Sequence, residues 1–179
     1  MSGEKITPEE FYQQLAQVPG SDLVTFARWV IENAPALGVT VIWGHSGPLL
    51  NFAHEKHAIW PFVFGQLDKS GVLSQKQSAL LRRCADLHVP VDVIRDYLKA
   101  VAALIPGACV KVFPLASGDV KELIVAGEDA GPVDWPPLAP LALHKEEWFV
   151  AIDRAIVRIR EVLDGRPNQN RVTKPLPKA

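Results

Sequence analysis

The fold is decided by the stretch Val39-Thr40-Val41-Ile42-Trp43 and the loop that follows it, Gly44-His45-Ser46-Gly47-Pro48. β-Branched and aromatic residues are typical of a strand, whereas closely spaced glycine and proline are typical of a tight loop. Two further strand-like runs follow at residues 49–53 and 58–66, and a turn at 69–71 leads briefly into Val72-Leu73. The pattern predicts an antiparallel sheet with a polar loop at 44–48, where a site could lie.

Helix signals surround this block. Thr7-Pro8-Glu9-Glu10 combines a capping threonine, a proline suited to the first turn and a glutamate in the capping-box position. Ser21-Asp22 caps a second helix that Gly38 closes, and Ser74 to Gln77 repeats the capping-box pattern. Apolar spacing predicts helices over residues 7–18, 21–36, 74–88, 91–105 and 144–163. We therefore expect the α+β class: a small, mostly antiparallel sheet from residues 39–73 and 108–125, packed by about five α-helices.

Chain length and composition suit one domain, which we place at residues 1–164. The 179 residues include 19 basic and 20 acidic side chains, so the net charge of −1 does not call for nucleic acid as a partner. Residues 165–179 are polar, basic and proline-rich, which predicts a disordered tail. Residues 116–143 form a long irregular segment, with a short strand at Leu123–Val125.

Cys84 and Cys109 are expected to be buried reduced thiols, because nothing in the sequence indicates a secreted, disulfide-bonded protein. The N-terminus lacks the order of a signal peptide, and no apolar run approaches the ~20 residues of a membrane span. These features indicate a cytoplasmic protein with no membrane partner. No cofactor is expected, because the sequence carries no complete catalytic or metal-binding constellation.

The segment Val41–Gly47 resembles the nucleophile elbow of α/β-hydrolases, with Ser46 as the nucleophile. The residues that would complete a serine, acid and histidine set are Asp129 or Asp134 with His144, and His45 is an alternative base. The elbow requires a residue between the serine and the second glycine, but Gly47 follows Ser46 directly. A strand-like run also replaces the helix whose N-terminus would help to stabilise an oxyanion. A tight loop between two strands is therefore the favoured interpretation.

A metal site is a further alternative, using His45, Glu55 and His57. His54 and His57 would share a face on a helix but lie on opposite faces of a strand. Their position between two strands indicates a hairpin tip, where both histidines would be exposed.

Two patterns could indicate nucleic-acid chemistry. Asp119-Val120-Lys121 has the acid-x-lysine spacing of restriction-type nucleases, although Ser117-Gly118 places the aspartate in a turn. A stacking platform for single-stranded nucleic acid could use aromatic side chains, namely Trp43, Phe52, Trp60, Phe62 and Phe64. Residues 58–66 hold no lysine or arginine, so packing in the core is the favoured interpretation.

A characteristic order of elements runs from Ile31 to Leu163. Its parts are Trp43-Gly44, the aromatic run from Phe62 to Gly71, residues 74–105, Ala108 to Leu115, Pro132 to Leu143, and His144 to Leu163. This architecture resembles that of an uncharacterised bacterial domain, some of whose members look like accessory parts of proteins with predicted restriction-type nuclease domains. The resemblance implies an interaction or nucleic-acid-associated role and carries over no site residues.

The sequence therefore favours a cytoplasmic, non-enzymatic binding or interaction module with an unknown protein partner. Two alternatives stay open. One is a small hydrolase using Ser46 with His144 or His45. The other is a nucleic-acid-associated accessory protein that makes contacts through Arg82, Arg83, Arg95 and the basic tail.

Overall fold

The computed structural model describes residues 4–19, 22–57, 61–75 and 79–165. Its helices are α1 Pro8–Leu15, α2 Leu23–Asn33, α3 Leu80–Leu87, α4 Asp92–Ala103, α5 Ala139–Leu143 and α6 Lys145–Asp164. Its strands are β1 Thr40–Trp43, β2 Pro48–Phe52, β3 Phe62–Leu67, β4 Leu73–Ser74, β5 Cys109–Pro114 and β6 Val120–Val125. Short 3₁₀ turns occupy Ala34–Leu37 and Glu55–His57. The α+β class is confirmed.

The strands form two antiparallel sheets instead of the single sheet that the sequence predicted. Strands β1 to β4 lie in chain order in one sheet, while β5 and β6 form a separate hairpin. The side-chain Oε1 of Gln75, just after β4, accepts a hydrogen bond of 3.1 Å from the Ile124 N–H of β6. The Ile124 N–H points away from β5 and binds the Gln75 side chain instead of another strand. This side chain therefore joins the hairpin to the larger sheet.

The predicted helix starts at Thr7 and Asp22 and the predicted closure at Gly38 are confirmed, whereas α1 ends at Leu15 and does not extend to residue 18 as predicted. Thr7 and Glu10 form the capping box of α1, and Asp22 caps α2 by accepting from the Thr25 N–H at 2.9 Å. Gly38 closes the helical segment with a φ of 76°, a conformation that costs glycine less than any other residue.

The predicted start of the third helix at Ser74 is wrong. Ser74 belongs to β4 and lies opposite Gln66 of β3, and α3 begins only at Leu80. Residues 76–78, which carry the rest of the apparent capping box, lie outside the described residues. The capping pattern gave a wrong prediction because the backbone of Leu73 and Ser74 pairs with β3, so a helix cannot start at these residues.

The segment 116–143 is more regular than predicted. It contains all of β6, which extends the expected short strand back to Val120, and the short helix α5. The predicted strand at residues 58–66 begins at Phe62, and Trp60 lies outside the described residues. The predicted tail also lies outside them from residue 166 onward.

One face of the larger sheet and the inner faces of the helices form the core. The largest side chains that are fully buried include Phe11, Phe52, Phe62, Phe64, Trp148 and Phe149. The three phenylalanines of β2 and β3 are therefore core residues, as the packing interpretation predicted, and Trp148 of α6 covers the core as expected. Trp135 is only half-buried.

Tyr97 of α4 connects the sheet to α6 through its hydroxyl group. The hydroxyl donates to the Phe64 carbonyl at 2.8 Å and accepts from the Trp148 Nε1–H at 3.3 Å. The ring also packs edge-on against Phe64, with the ring centroids 4.9 Å apart. Because Tyr97 is only 2% exposed, water cannot replace either partner, and burial raises the pKa of its hydroxyl group well above the usual value.

We expect Tyr97→Phe to lower the free energy of unfolding by about 1–3 kcal/mol, because it leaves a buried carbonyl and a buried indole N–H without partners. Tyr12→Phe is the matched control, since the half-buried Tyr12 hydroxyl makes no hydrogen bond to another described residue. Urea unfolding of both variants measures the difference. A loss below about 0.5 kcal/mol for Tyr97→Phe would contradict the role assigned to the hydroxyl.

Candidate functional site

The loop after β1 is held by hydrogen bonds on both of its flanks. The Gly47 carbonyl accepts from the Gly44 N–H at 3.0 Å and from the Gln66 Nε2–H at 2.9 Å. The Ser46 carbonyl accepts from the Lys69 N–H at 2.8 Å. The loop therefore packs against β3 and the turn that follows β3.

Gly47 fixes how closely the loop approaches β3. A Cβ atom at this position would lie 1.8 Å from the Leu67 carbonyl oxygen, and the Gly47 φ is 153°. No side chain fits between these two backbone segments. The glycine is thus required for close packing of the turn, which accounts for the Ser-Gly pair without invoking a nucleophile elbow.

The residues of the hydrolase alternative make separate contacts. His45 is exposed, and its Nδ1 lies 3.0 Å from the Glu4 carbonyl oxygen. His144 precedes α6, and its Nδ1 lies 3.5 Å from Glu147 Oε1. Among the described residues, no hydrogen bond joins the Ser46 hydroxyl to a histidine. Of the two candidate acids, Asp134 accepts from the Gly131 N–H at 2.6 Å, and Asp129 is exposed.

We expect Gly47→Ala to lower the free energy of unfolding by about 2–5 kcal/mol, because the new methyl group overlaps the Leu67 carbonyl. Gly118→Ala is the control, because its φ of 87° is also left-handed but no atom lies within 4 Å of the added Cβ. It should cost only about 1 kcal/mol of backbone strain. Thermal and urea unfolding compare the two, and equal losses would show that close packing at Gly47 is unimportant.

The metal candidates are not brought together. His45 lies in the loop after β1, whereas Glu55 and His57 lie in the 3₁₀ turn after β2. Within the part of the chain that the structure describes, no three histidine, cysteine, aspartate or glutamate side chains are arranged to hold a metal ion.

His54 is buried, contrary to the prediction that it lies exposed at a hairpin tip. The residue is only 6% exposed, and the connection from β2 continues as a 3₁₀ turn. His54 Nδ1 accepts from the Lys56 N–H at 3.3 Å, so in the neutral ring Nε2 carries the proton. Nε2 lies 3.2 Å from Asp164 Oδ1 at the C-terminus of α6. The histidine joins the sheet to the last helix, a long-range contact that local sequence does not reveal.

Asp164 receives a second contact from Lys56 Nζ at 3.3 Å. Burial acts to raise the pKa of the Asp164 carboxyl group, but hydrogen bonds from Lys56 and His54 outweigh it and lower the pKa overall. A carboxylate at a helix C-terminus is disfavoured by the helix dipole, so these two contacts stabilise the end of α6.

We expect the contribution of Asp164 to stability to be lost on the acid side of pH 4. Because folding lowers the Asp164 pKa, the contribution is fully present above the unfolded value of about 3.9 and disappears as the pH falls through the folded pKa. Asp164→Asn should therefore destabilise the protein at pH 5, and the difference from wild type should shrink below pH 4.

Urea unfolding at several pH values between 3 and 5 measures this difference. Glu55→Gln is the matched control, because it removes an exposed carboxylate from the 3₁₀ turn that contains Lys56. It should change the free energy of unfolding at pH 5 by less than about 0.5 kcal/mol. A difference for Asp164→Asn that stays constant to pH 3 would contradict the account.

The arginines of the nucleic-acid alternative are mostly paired. Arg95 Nη2 lies 2.7 Å from Glu122 Oε1, and Arg83 Nη1 lies 2.9 Å from Asp86 Oδ2, while Arg82 is exposed. The exposed positions of α4 also include the carboxylates Asp92 and Asp96. Pairing and nearby acids reduce the positive potential that phosphate binding requires.

A groove of about 460 Å³ runs between α4 and α6. Small side chains form part of its lining, among them Ala100, Ala151 and Ala155. Its charged lining includes both signs, and the Arg158 guanidinium binds the Asp96 carboxylate. The groove thus has neither a uniform charge nor a converging set of catalytic groups among the described residues.

The two cysteines are both free thiols. Cys84 is buried, as predicted, and burial raises its pKa to about 11, so the thiolate form needed for nucleophilic attack is disfavoured. Cys109 at the start of β5 is half-buried.

The outer edge of β1 differs from these features because two of its residues have backbone groups that no other described residue binds. The Gly44–Gly47 hydrogen bond marks one bonded pair of the β1–β2 ladder, and bonded pairs alternate along antiparallel strands. The intervening residues Val41 and Trp43 therefore direct their N–H and C=O groups away from β2. Pro48, which has no N–H, lies opposite Trp43 and fits this assignment.

This open edge, defined as the backbone N–H and C=O groups of Val41 and Trp43, is bounded at both ends. On one side, the Val39 N–H donates to the Ala34 carbonyl at 3.1 Å. On the other side, Ile6 donates to the Gly44 carbonyl at 3.0 Å, beyond the last residue of β1. Between these points, no hydrogen bond joins the open edge to any other described residue.

The side chains of β1 alternate between the core and solvent. Val41 and Trp43 pack against the core, and the centroids of the Trp43 and Phe11 rings are 5.5 Å apart. Thr40 and Ile42 point to the other face, where Ile42 remains 45% exposed. The open edge thus sits on a firmly packed strand with an exposed apolar side chain between its two bonding positions.

The other sheet edges are either covered or carry charged or proline residues. At β4, the Leu73 N–H donates to the Pro136 carbonyl and the Leu138 N–H to the Gly71 carbonyl, both at 2.8 Å. In the hairpin, the charged and proline residues are Lys111 and Pro114 on β5, and Lys121 and Glu122 on β6. Charge, proline and a covering segment are the usual means by which sheet edges avoid pairing with other chains.

The open edge is the feature that sequence reasoning missed. The strand itself was predicted at residues 39–43, but its position at an edge depends on the pairing order of the whole sheet. The available signal was the lack of any charge or proline in Thr40-Val41-Ile42-Trp43.

No family model matches the chain, and no curated protein or solved structure shows a significant match to it. Within the described ranges, no helix combines the length and apolar character that a membrane span requires.

Proposed function

We propose that this chain is a cytoplasmic, non-enzymatic interaction module that binds a protein partner by strand addition at the open edge of β1. The observation that carries the proposal is the pair of outward backbone positions at Val41 and Trp43, unpaired among the described residues and unprotected by charge or proline.

The geometry of the open edge restricts what can bind there. Two donor–acceptor positions two residues apart match the spacing of an extended strand, whereas a helix satisfies its backbone groups internally. Side chains on the bound strand would alternate between solvent and the core-facing side of β1. The exposed Ile42 provides an apolar contact on the outer face.

Binding of this kind requires little rearrangement of the module. Val41 and Trp43 are held by core packing, so the receiving strand is formed before the partner arrives. A preformed strand reduces the ordering cost of association to that of the incoming segment.

We expect peptides selected for binding from a random display library to bind in extended form along β1. In amide NMR spectra, these peptides should shift the Val41 and Trp43 N–H signals and slow their hydrogen exchange. Val41→Pro should weaken binding, because it removes one outward N–H while sparing the hydrogen bonds to β2.

Val112→Pro is the matched control, since Val112 is likewise an outward position on an edge strand, in the separate hairpin. Failure to select any binder, or binders that shift signals elsewhere and tolerate Val41→Pro, would overturn the proposed function.

A further inference from the structure

We infer that the strand received by the open edge is β1 of a second copy of this chain, so that two sheets join into one. This inference rests on the proposed function and specifies the partner of the same site. The joined sheet would contain the four strands of each copy in antiparallel order across a two-fold axis.

The register follows from the positions of the open groups. In an antiparallel ladder, opposite residues form alternately bonded and non-bonded pairs, and the two residues of a bonded pair exchange both hydrogen bonds. Val41 of one copy must therefore lie opposite Trp43 of the other, and Trp43 opposite Val41, which satisfies the open edge of both copies at once. Ile42 then lies on the two-fold axis in a non-bonded pair, where opposing side chains come closest.

The side chain on the axis suits a self-association. Ile42 is 45% exposed in the single chain and would contact its own equivalent on the outer face of the joined sheet. β1 brings no charge to the axis, so the pairing of identical strands meets no repulsion between its own side chains.

The register also determines which residues lie beside each other at the ends of the paired strands. The same register places residues 44–46 of one copy beside residues 38–40 of the other. The first group lies next to Glu4, whose carbonyl contacts His45, and the second lies next to Arg160, whose guanidinium approaches Gly38.

Sedimentation equilibrium from about 1 µM to 1 mM tests the inference with variants on the axis. Wild type should show a monomer–dimer equilibrium. Ile42→Lys and Ile42→Glu should each reduce the association constant by at least about tenfold, because like charges meet on the axis. An equimolar mixture of the two variants should recover association, which also shows that both variants remain folded.

Thr40→Lys is the matched control, because it adds the same charge to an exposed position on the same strand face but away from the axis. It should retain most of the association. A wild-type chain that stays monomeric to 1 mM would overturn the second copy as partner, while the selected peptides test the proposed function separately. Association that Ile42→Lys leaves unchanged, or that the mixture fails to recover, would also overturn the inference.

Discussion

The hydroxyl group of Tyr97 connects the three main parts of the molecule. It binds the Phe64 carbonyl of the sheet and the Trp148 indole of α6, and it extends from α4. Because both partners are buried, the sheet, α4 and α6 can pack together only in an arrangement that satisfies this bridge. The helices therefore cover the core face of the larger sheet. Any contact between this sheet and another molecule must use its edges or its outer face.

The two edges of the larger sheet differ in whether other residues cover their backbone groups. The β4 edge is short and is covered by the segment containing Pro136, whereas the β1 edge presents backbone groups of Val41 and Trp43 that no other described residue binds. Such a difference within one sheet needs a physical reason, because exposed edges invite pairing with other chains. The proposed partner strand would supply that reason, and in the inferred antiparallel pairing a copy of β1 would satisfy the Val41 and Trp43 groups of both chains with one symmetric contact.

Much of the fold could be predicted because its signals are local. The capping box at Thr7, the left-handed Gly38 and the apolar stripe of α6 each depend on a few neighbouring residues. The predicted start of α3 was wrong because Ser74 pairs with Gln66 in the sheet, although the local sequence resembles a helix cap. The division into two sheets depends on Gln75, a side chain whose partner lies 49 residues away.

The candidate site was harder to predict for the same reason. Loop 44–48 attracted attention through residue types that resemble a catalytic turn, but its hydrogen bonds join it to β3 and the turn after it. The open edge has no characteristic residue type, since its chemistry belongs to the backbone. Sequence could locate the strand but not which of its sides remains unpaired, because that depends on the order of all four strands.

Disulfide trapping at position 42 tests the central claim most directly. Opposing residues in a non-bonded antiparallel pair have Cα atoms about 4.5 Å apart, within the range that a disulfide spans. Ile42→Cys should therefore form a crosslinked dimer rapidly on mild oxidation at micromolar concentration. Thr40→Cys, whose equivalents would lie roughly 13 Å apart along the strands, should crosslink far more slowly, with wild type as the blank. Equal rates for the two variants would contradict pairing through β1 in this register.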